Sequence, residues 1–129
     1  MREGSILIAL LAVGLGAAAG ACVRWALSEA LNSRLSFIPA GTLAANLIGA
    51  FAIGVLLALF AGRPVSPQVK LFLMTGLLGG LTTFSTFSSE NVQMLLAGEY
   101  LRSVAHAAVH LFGSLASTAL GFAAGKHFF

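Results

Sequence analysis

The chain has 129 residues, of which 58% are hydrophobic and 9% charged, with a mean hydropathy of +0.96 and a net charge of +3. A soluble domain carries about 25% charged residues, so this composition excludes a water-covered surface and points to lipid as the solvent. The single cysteine, Cys22, excludes an internal disulfide and a cysteine-based metal cluster; no basic cluster of the nucleic-acid type is present, and the positive balance suits anionic lipid headgroups instead.

A membrane-crossing helix needs about 20 mostly apolar residues. Four such segments follow one another in a single domain of residues 1–129, and the expected fold is all-α. The first span covers residues 5–27. Within it, Ala19-Gly20-Ala21-Cys22 has some likeness to a lipoprotein cleavage site. The basic region before it is only Arg2, cancelled by Glu3, so an uncleaved span is the expectation. Gly16 and Gly20 are four apart and make a face for close helix contact. Arg24 and Trp25 near its end have two readings. The arginine snorkels to the interface beside an aromatic anchor, or it forms an electropositive vestibule that concentrates anions.

The second span covers residues 39–60 and ends at Gly62-Arg63-Pro64. Gly41, Ala45 and Gly49 again repeat at four, a second close-contact face. Whether these faces meet within one chain or between chains is not readable. Asn46 sits in the middle third of this span. An uncompensated amide costs several kcal/mol in hydrocarbon, so it is either interhelical glue or a donor to a permeating anion.

The third span, residues 68–96, carries the most unusual segment. Residues 76–88 are dense in glycine and hydroxyls: Gly76, Gly79, Gly80, then Thr82-Thr83-Phe84-Ser85-Thr86-Phe87-Ser88. Loosened or polar backbone at membrane depth must be buried in protein or line a pathway. Phe84 and Phe87 are three apart, and Glu90 continues the spacing. Two phenylalanines in a membrane helix are usually packing. Interleaved with hydroxyls, their positive ring edges also suit a small, partly dehydrated anion.

The fourth span covers residues 101–127. His110, Ser114 and Thr118 fall four apart on one polar stripe, flanked by Ser117. The hydroxyls either bond back to their own helix or supply successive partners along the membrane normal. His106, His110 and His127 match no recognised metal-ligand motif. No nucleophile–base pair or phosphate loop is present, and the closely spaced glycines of residues 14–20 lie in a spanning helix rather than after a strand. The chain reads as a non-enzyme.

Pro39, Pro64 and Pro67 fall near span boundaries, where proline suits a helix start. Lys and Arg in the loops decide orientation. With four spans, one side holds Arg2, Arg63, Lys70 and Lys126, and the other Arg24, Arg34 and Arg102. This near balance chooses no direction. It fits a protein that inserts both ways and pairs with its inverted copy, or one whose direction a single charge or the insertion machinery decides.

Three stretches together resemble the small bacterial fluoride channels, the Fluc or CrcB family. They are Gly20-Ala21-Cys22-Val23-Arg24-Trp25, Gly41-Thr42-Leu43-Ala44-Ala45-Asn46-Leu47-Ile48-Gly49-Ala50-Phe51, and residues 79–88 with Glu90. The resemblance implies a multi-pass protein of the bacterial inner (plasma) membrane that exports fluoride passively. It implies an antiparallel, dual-topology homodimer with two fluoride pathways and a third helix broken mid-membrane. It implies that Asn46 donates to fluoride and that Phe84 and Phe87 present ring edges to it. Thr83, Ser85, Thr86, Ser114, Thr118 and His110 would line the path, with Arg24 at a vestibule. Backbone carbonyls of Gly79 and Thr82 would hold a structural sodium ion at the dimer centre. A fixed cation offsets the cost of an anion at mid-membrane.

The main rival is a dual-topology, proton-coupled small multidrug exporter. It requires an acid deep in the first span, and none is there. A non-conducting membrane assembly subunit would leave Asn46 and the polar stripe as packing only.

Overall fold

The structure, a computed structural model, describes residues 3–32 and 37–129. Arg2 and Arg34, both part of the loop-charge argument, lie outside the described residues. The described chain is helical throughout its regular elements: α1 (Glu3–Leu31), α2 (Ala40–Ala61), α3 (Pro67–Lys70), a π-helix (Leu71–Leu78), α4 (Gly79–Leu81), α5 (Phe84–Leu96) and α6 (Tyr100–Phe128). Four helical segments are long and apolar enough to cross a membrane, the third running from Pro67 to Leu96. The expected spans and the observed ones agree within four residues at each end.

The helix ends follow local chemistry. Pro39 occupies the N-cap of α2. Pro67 opens α3 after Ser66, whose hydroxyl accepts from Val69 N at 3.3 Å; proline fits there because that N–H would lack a partner in any case. Beyond α5 the chain turns through Gly98 at φ +74°. Gly98 N–H donates to Leu95 O at 3.0 Å and Glu99 N–H to Met94 O at 2.9 Å, the paired bonds of a glycine-terminated helix.

Small residues set the packing. α2 lies along α6, and α1 lies along the π-helix and α4. A Cβ at Gly20 would strike the backbone of Leu77 and Leu81, and one at Gly54 would strike the backbone of Thr118 and Phe122. Gly41 faces Ser28 of α1, and Gly49 leaves room for the Thr82 methyl group. Both four-residue repeats therefore serve contacts within the chain, a point the sequence left open. The buried apolar centre is small: Ala45, Leu78 and Leu81, with Leu27, Ile53 and Leu56 packed against it. Large aliphatic side chains such as Leu10 and Leu15 on α1 and Leu101 and Leu120 on α6 point outward. That inversion suits a hydrocarbon solvent, where close van der Waals fit, not apolar burial, holds helices together.

Because the α2–α6 contact depends on backbone approach, Gly54→Ile is expected to destabilise the protein by about 1–3 kcal/mol, read as a lower thermal unfolding temperature in detergent. Gly14→Ala, where a Cβ meets open space, is expected to cause no loss. An unchanged Gly54→Ile protein would contradict the packing described.

Candidate functional site

The third segment loses helical bonding between Leu81 and Phe84. Thr82 (φ −84°, ψ 153°) and Thr83 (φ −150°, ψ 121°) are extended. In an unbroken helix Thr83 N–H would bond to Gly79 O, and Thr86 N–H to Thr82 O. Instead Thr83 N–H donates to Asn46 Oδ1 at 2.7 Å, and Thr86 N–H donates to the Thr83 hydroxyl at 3.1 Å. Asn46 Nδ2 returns a bond to Thr83 O at 3.1 Å. One asparagine on α2 thus bonds both backbone polar groups of Thr83, as buried backbone requires. Three residues earlier, Gly80 O accepts from Arg24 Nε at 3.0 Å. Gly79 O and Thr82 O are left without the donors a continuous helix would give them.

The break gives α5 a free beginning. Thr83 is its N-cap. The N–H groups of Phe84 and Ser85 stand in the first turn, where a helix offers no acceptor, and the helix dipole adds positive potential there. The Thr83 hydroxyl also bonds the Thr86 hydroxyl at 3.1 Å and lies 3.3 Å from the Ser85 hydroxyl.

A groove of about 510 Å³ opens on this point between α2, the third segment and α6. Asn46, Thr83, Phe84, Phe87, His110, Ser114 and Thr118 all line it, as do Gly79 and Thr82. The α6 stripe therefore meets the gap in the third segment on one surface. Ser85 and Thr86 do not line the groove; their hydroxyls close onto Thr83 instead. Arg24 lies on the α1 side of the same turn, tied to Gly80. Phe84, at the groove's edge, is 79% exposed.

Beneath the groove is a buried polar cluster. Phe87 stacks on His106, with ring centroids 5.0 Å apart, and tilts against His110 at 4.7 Å. His106 Nε2 lies 3.1 Å from Glu90 Oε2, and Thr42 Oγ1 donates to Glu90 Oε1 at 2.5 Å. On the far side of the ring, Asn91 Nδ2 lies 3.1 Å from His106 Nδ1 and donates to Ser103 O at 2.9 Å. Asn46 Nδ2 lies 3.2 Å from His110 Nδ1, while His110 Nε2 is buried without a hydrogen-bond partner among the described residues. Ligand atoms of Glu90, His106 and His110 all fall within 4.8 Å of one another, a spacing that could hold a metal ion.

Thr42, Asn91, Ser103 and His106 were not singled out by sequence reasoning. The four-residue spacing of His106 and His110 was a visible signal of a shared helix face. That Glu90 and two further elements converge on that face is a tertiary fact with no local trace.

The family described as "CrcB-like protein, Camphor Resistance (CrcB)" matches residues 11–122. This chain belongs to the CrcB family. A relative in Thiobacillus denitrificans, named "Fluoride-specific ion channel FluC", is 55% identical over 115 residues, covering 88% of this chain and 93% of that protein. Proteins of the same name in Chromohalobacter salexigens and Aromatoleum aromaticum are 52% and 51% identical, over 90% and 96% of this chain and 89% and 95% of theirs. The family read from the motifs is the family found, and all three relatives are named as channels rather than enzymes.

In this CrcB-family chain Asn46 carries three contacts, and its loss orphans the Thr83 N–H. Asn46→Leu is expected to cost about 2–4 kcal/mol, measured by reversible unfolding in detergent. A loss below about 0.5 kcal/mol would mean the peptide finds other partners and is not held by Asn46.

Proposed function

We propose that this chain is a fluoride-selective channel of a bacterial plasma membrane, through which fluoride leaves the cytoplasm passively. The observation that carries the reading is one groove in which a helix N-terminus and two phenylalanine rings converge, with Asn46, its amide hydrogens already taken by Thr83 O and His110, holding that N-terminus in place. The N-terminus and the rings present partial positive charge without a full cation. Fluoride is small and tightly hydrated. A pore for it must replace water with donors and ring edges, yet hold it weakly enough to let go. A lysine or arginine at the same point would bind too firmly. The names of the curated relatives support fluoride as the ion.

The path runs past Asn46, Thr83, Phe84, Phe87 and His110, then along Ser114 and Thr118, with the break in the third segment at mid-membrane. Ser85 and Thr86 act by fixing the Thr83 hydroxyl, which they contact. Arg24 holds the turn at Gly80 and supplies a positive vestibule on the α1 side. The Gly79 and Thr82 carbonyls, deprived of helical donors, suit a hard cation, for which oxygen ligands are the rule. We assign them to a structural sodium ion. Two carbonyls from one chain are too few for its coordination, so a second copy supplies the rest. When bound, the ion places positive charge beside the gap.

The functional unit is residues 1–129 paired with an inverted copy. The open-sided groove and the exposed ring of Phe84 support a cover by a second chain, and the balanced loop charges support its inversion. Two copies give two pathways.

Purified protein in liposomes is expected to release fluoride rapidly when a potassium ionophore balances charge, and to release little chloride. No fluoride release under those conditions would sink the proposal. Phe87→Ile is expected to cut flux by at least about tenfold, the equivalent of one lost favourable contact of roughly 1.4 kcal/mol, with the assembly intact by size-exclusion chromatography. Unchanged flux would take Phe87 out of the path. Dialysis against sodium-free buffer is expected to weaken flux; indifference would count against the carbonyl site.

A further inference from the structure

Both histidines under Phe87 have their Nδ1 against an asparagine amide, and each amide's orientation is fixed elsewhere. Thr83 N–H can only donate, so Asn46 must present oxygen to it. The amide nitrogen then faces Thr83 O and His110 Nδ1. An amide nitrogen only donates, so His110 Nδ1 must accept. A neutral ring that accepts at Nδ1 carries its proton on Nε2. Asn91 repeats the logic. Its nitrogen must donate to Ser103 O, and Ser103 Oγ donates to its oxygen at 2.8 Å. The same nitrogen faces His106 Nδ1. His106 therefore carries Nε2–H as well, and donates it to Glu90 Oε2.

We propose that Asn46 and Asn91 are positioning residues that lock His110 and His106 in the Nε2–H tautomer. His106 spends its proton on Glu90 and, with Thr42 on the other oxygen, pins that carboxylate away from the groove. His110 keeps its Nε2–H, which is buried and without a partner among the described residues, as a donor to an anion in the groove. The identity of that anion rests on the channel reading; the tautomers do not.

The same locks argue against a transition metal on Glu90, His106 and His110, despite the closeness of their ligand atoms. A metal takes the Nε2 lone pair and leaves Nδ1–H seeking an acceptor. Here both Nδ1 atoms face amide donors that cannot turn without abandoning Thr83 N–H or Ser103 O. The cluster is built to offer protons, not lone pairs.

Nitrogen-15 NMR of labelled histidine in the full-length protein, reconstituted in bilayers, reads the proton on each ring nitrogen. The expected result is Nε2–H with bare Nδ1 at both His106 and His110. Added sodium fluoride should shift the His110 Nε2 signal, and sodium chloride should not. Asn91→Asp presents an acceptor to His106, so a proton should appear on Nδ1 there and fluoride flux should fall about tenfold, the equivalent of one hydrogen bond. Asn91→Leu, which adds no charge, should give mixed tautomers at His106 and leave His110 unchanged.

Nδ1–H on either ring of the unaltered protein overturns the locks, and that measurement stands even if neither variant folds. A His106 signal and flux both indifferent to Asn91→Asp would overturn the role of Asn91. An unshifted His110 in fluoride would remove it as a donor. Both rings as assigned in a protein that conducts no fluoride would uphold the locks and overturn the channel reading alone.

Discussion

The bond pair between Asn46 and the Thr83 peptide is the constraint on which the site depends. A backbone break between apolar helices strands N–H and C=O groups at a cost of several kcal/mol apiece. Asn46 bonds the Thr83 N–H and the Thr83 carbonyl, and Arg24 takes Gly80 O, three residues earlier. With those groups satisfied, the chain can stop one helix at Leu81 and start another at Phe84. The new helix then brings its N-terminus, its capping threonine and two phenylalanines to a single surface. The amide that closes the break also reaches His110, so the gap and the α6 stripe share one residue.

Close packing makes that arrangement possible. Asn46 reaches Thr83 because α2 presses against the third segment at Gly49, where the Thr82 methyl group fits into the space of a missing Cβ. α1 approaches the same segment from the other side through Gly16 and Gly20, opposite Gly76, Leu77 and Leu81. The third segment is clamped between two glycine faces. It needs that support, since its own hydrogen-bond ladder changes pitch through the π-helix and then stops. π-helical turns are scarce and concentrate at functional sites, which fits this one leading into the gap.

Much of this was legible in the sequence. Span positions came from hydropathy and length, and helix starts from Pro39 and Pro67. Asn46, the run of residues 76–88 and the His110–Ser114–Thr118 stripe each stood out as polar groups at membrane depth. The stripe's spacing followed from helix geometry, and the structure places it on the groove. Other features had no local signature. Gly41 and Gly49 announced close contact but not with whom, because a small face looks alike whether it meets its own chain or another. Asn91, Thr42 and Ser103 look like ordinary residues near span ends. Only the approach of α2, α5 and α6 makes them partners of Glu90 and His106. Hydroxyl density gave Ser85 and Thr86 the same weight as Thr83, but their hydroxyls contact that of Thr83, which caps α5. Counting polar atoms cannot tell a lining hydroxyl from one spent on its own helix.

The account stands or falls on whether the third segment is open and wet between Leu81 and Phe84 while Asn46 holds Thr83. Residue-specific amide hydrogen exchange of the unaltered protein in bilayers tests this directly. Thr83 N–H, bonded to Asn46, should exchange slowly, while Phe84 and Ser85 N–H, at the open start of α5, should exchange fast. Slow exchange at all three, matching residues within α5, would mean a continuous dry helix and would contradict the account. Fast exchange at Thr83 would contradict it too, because the clamp would not be holding.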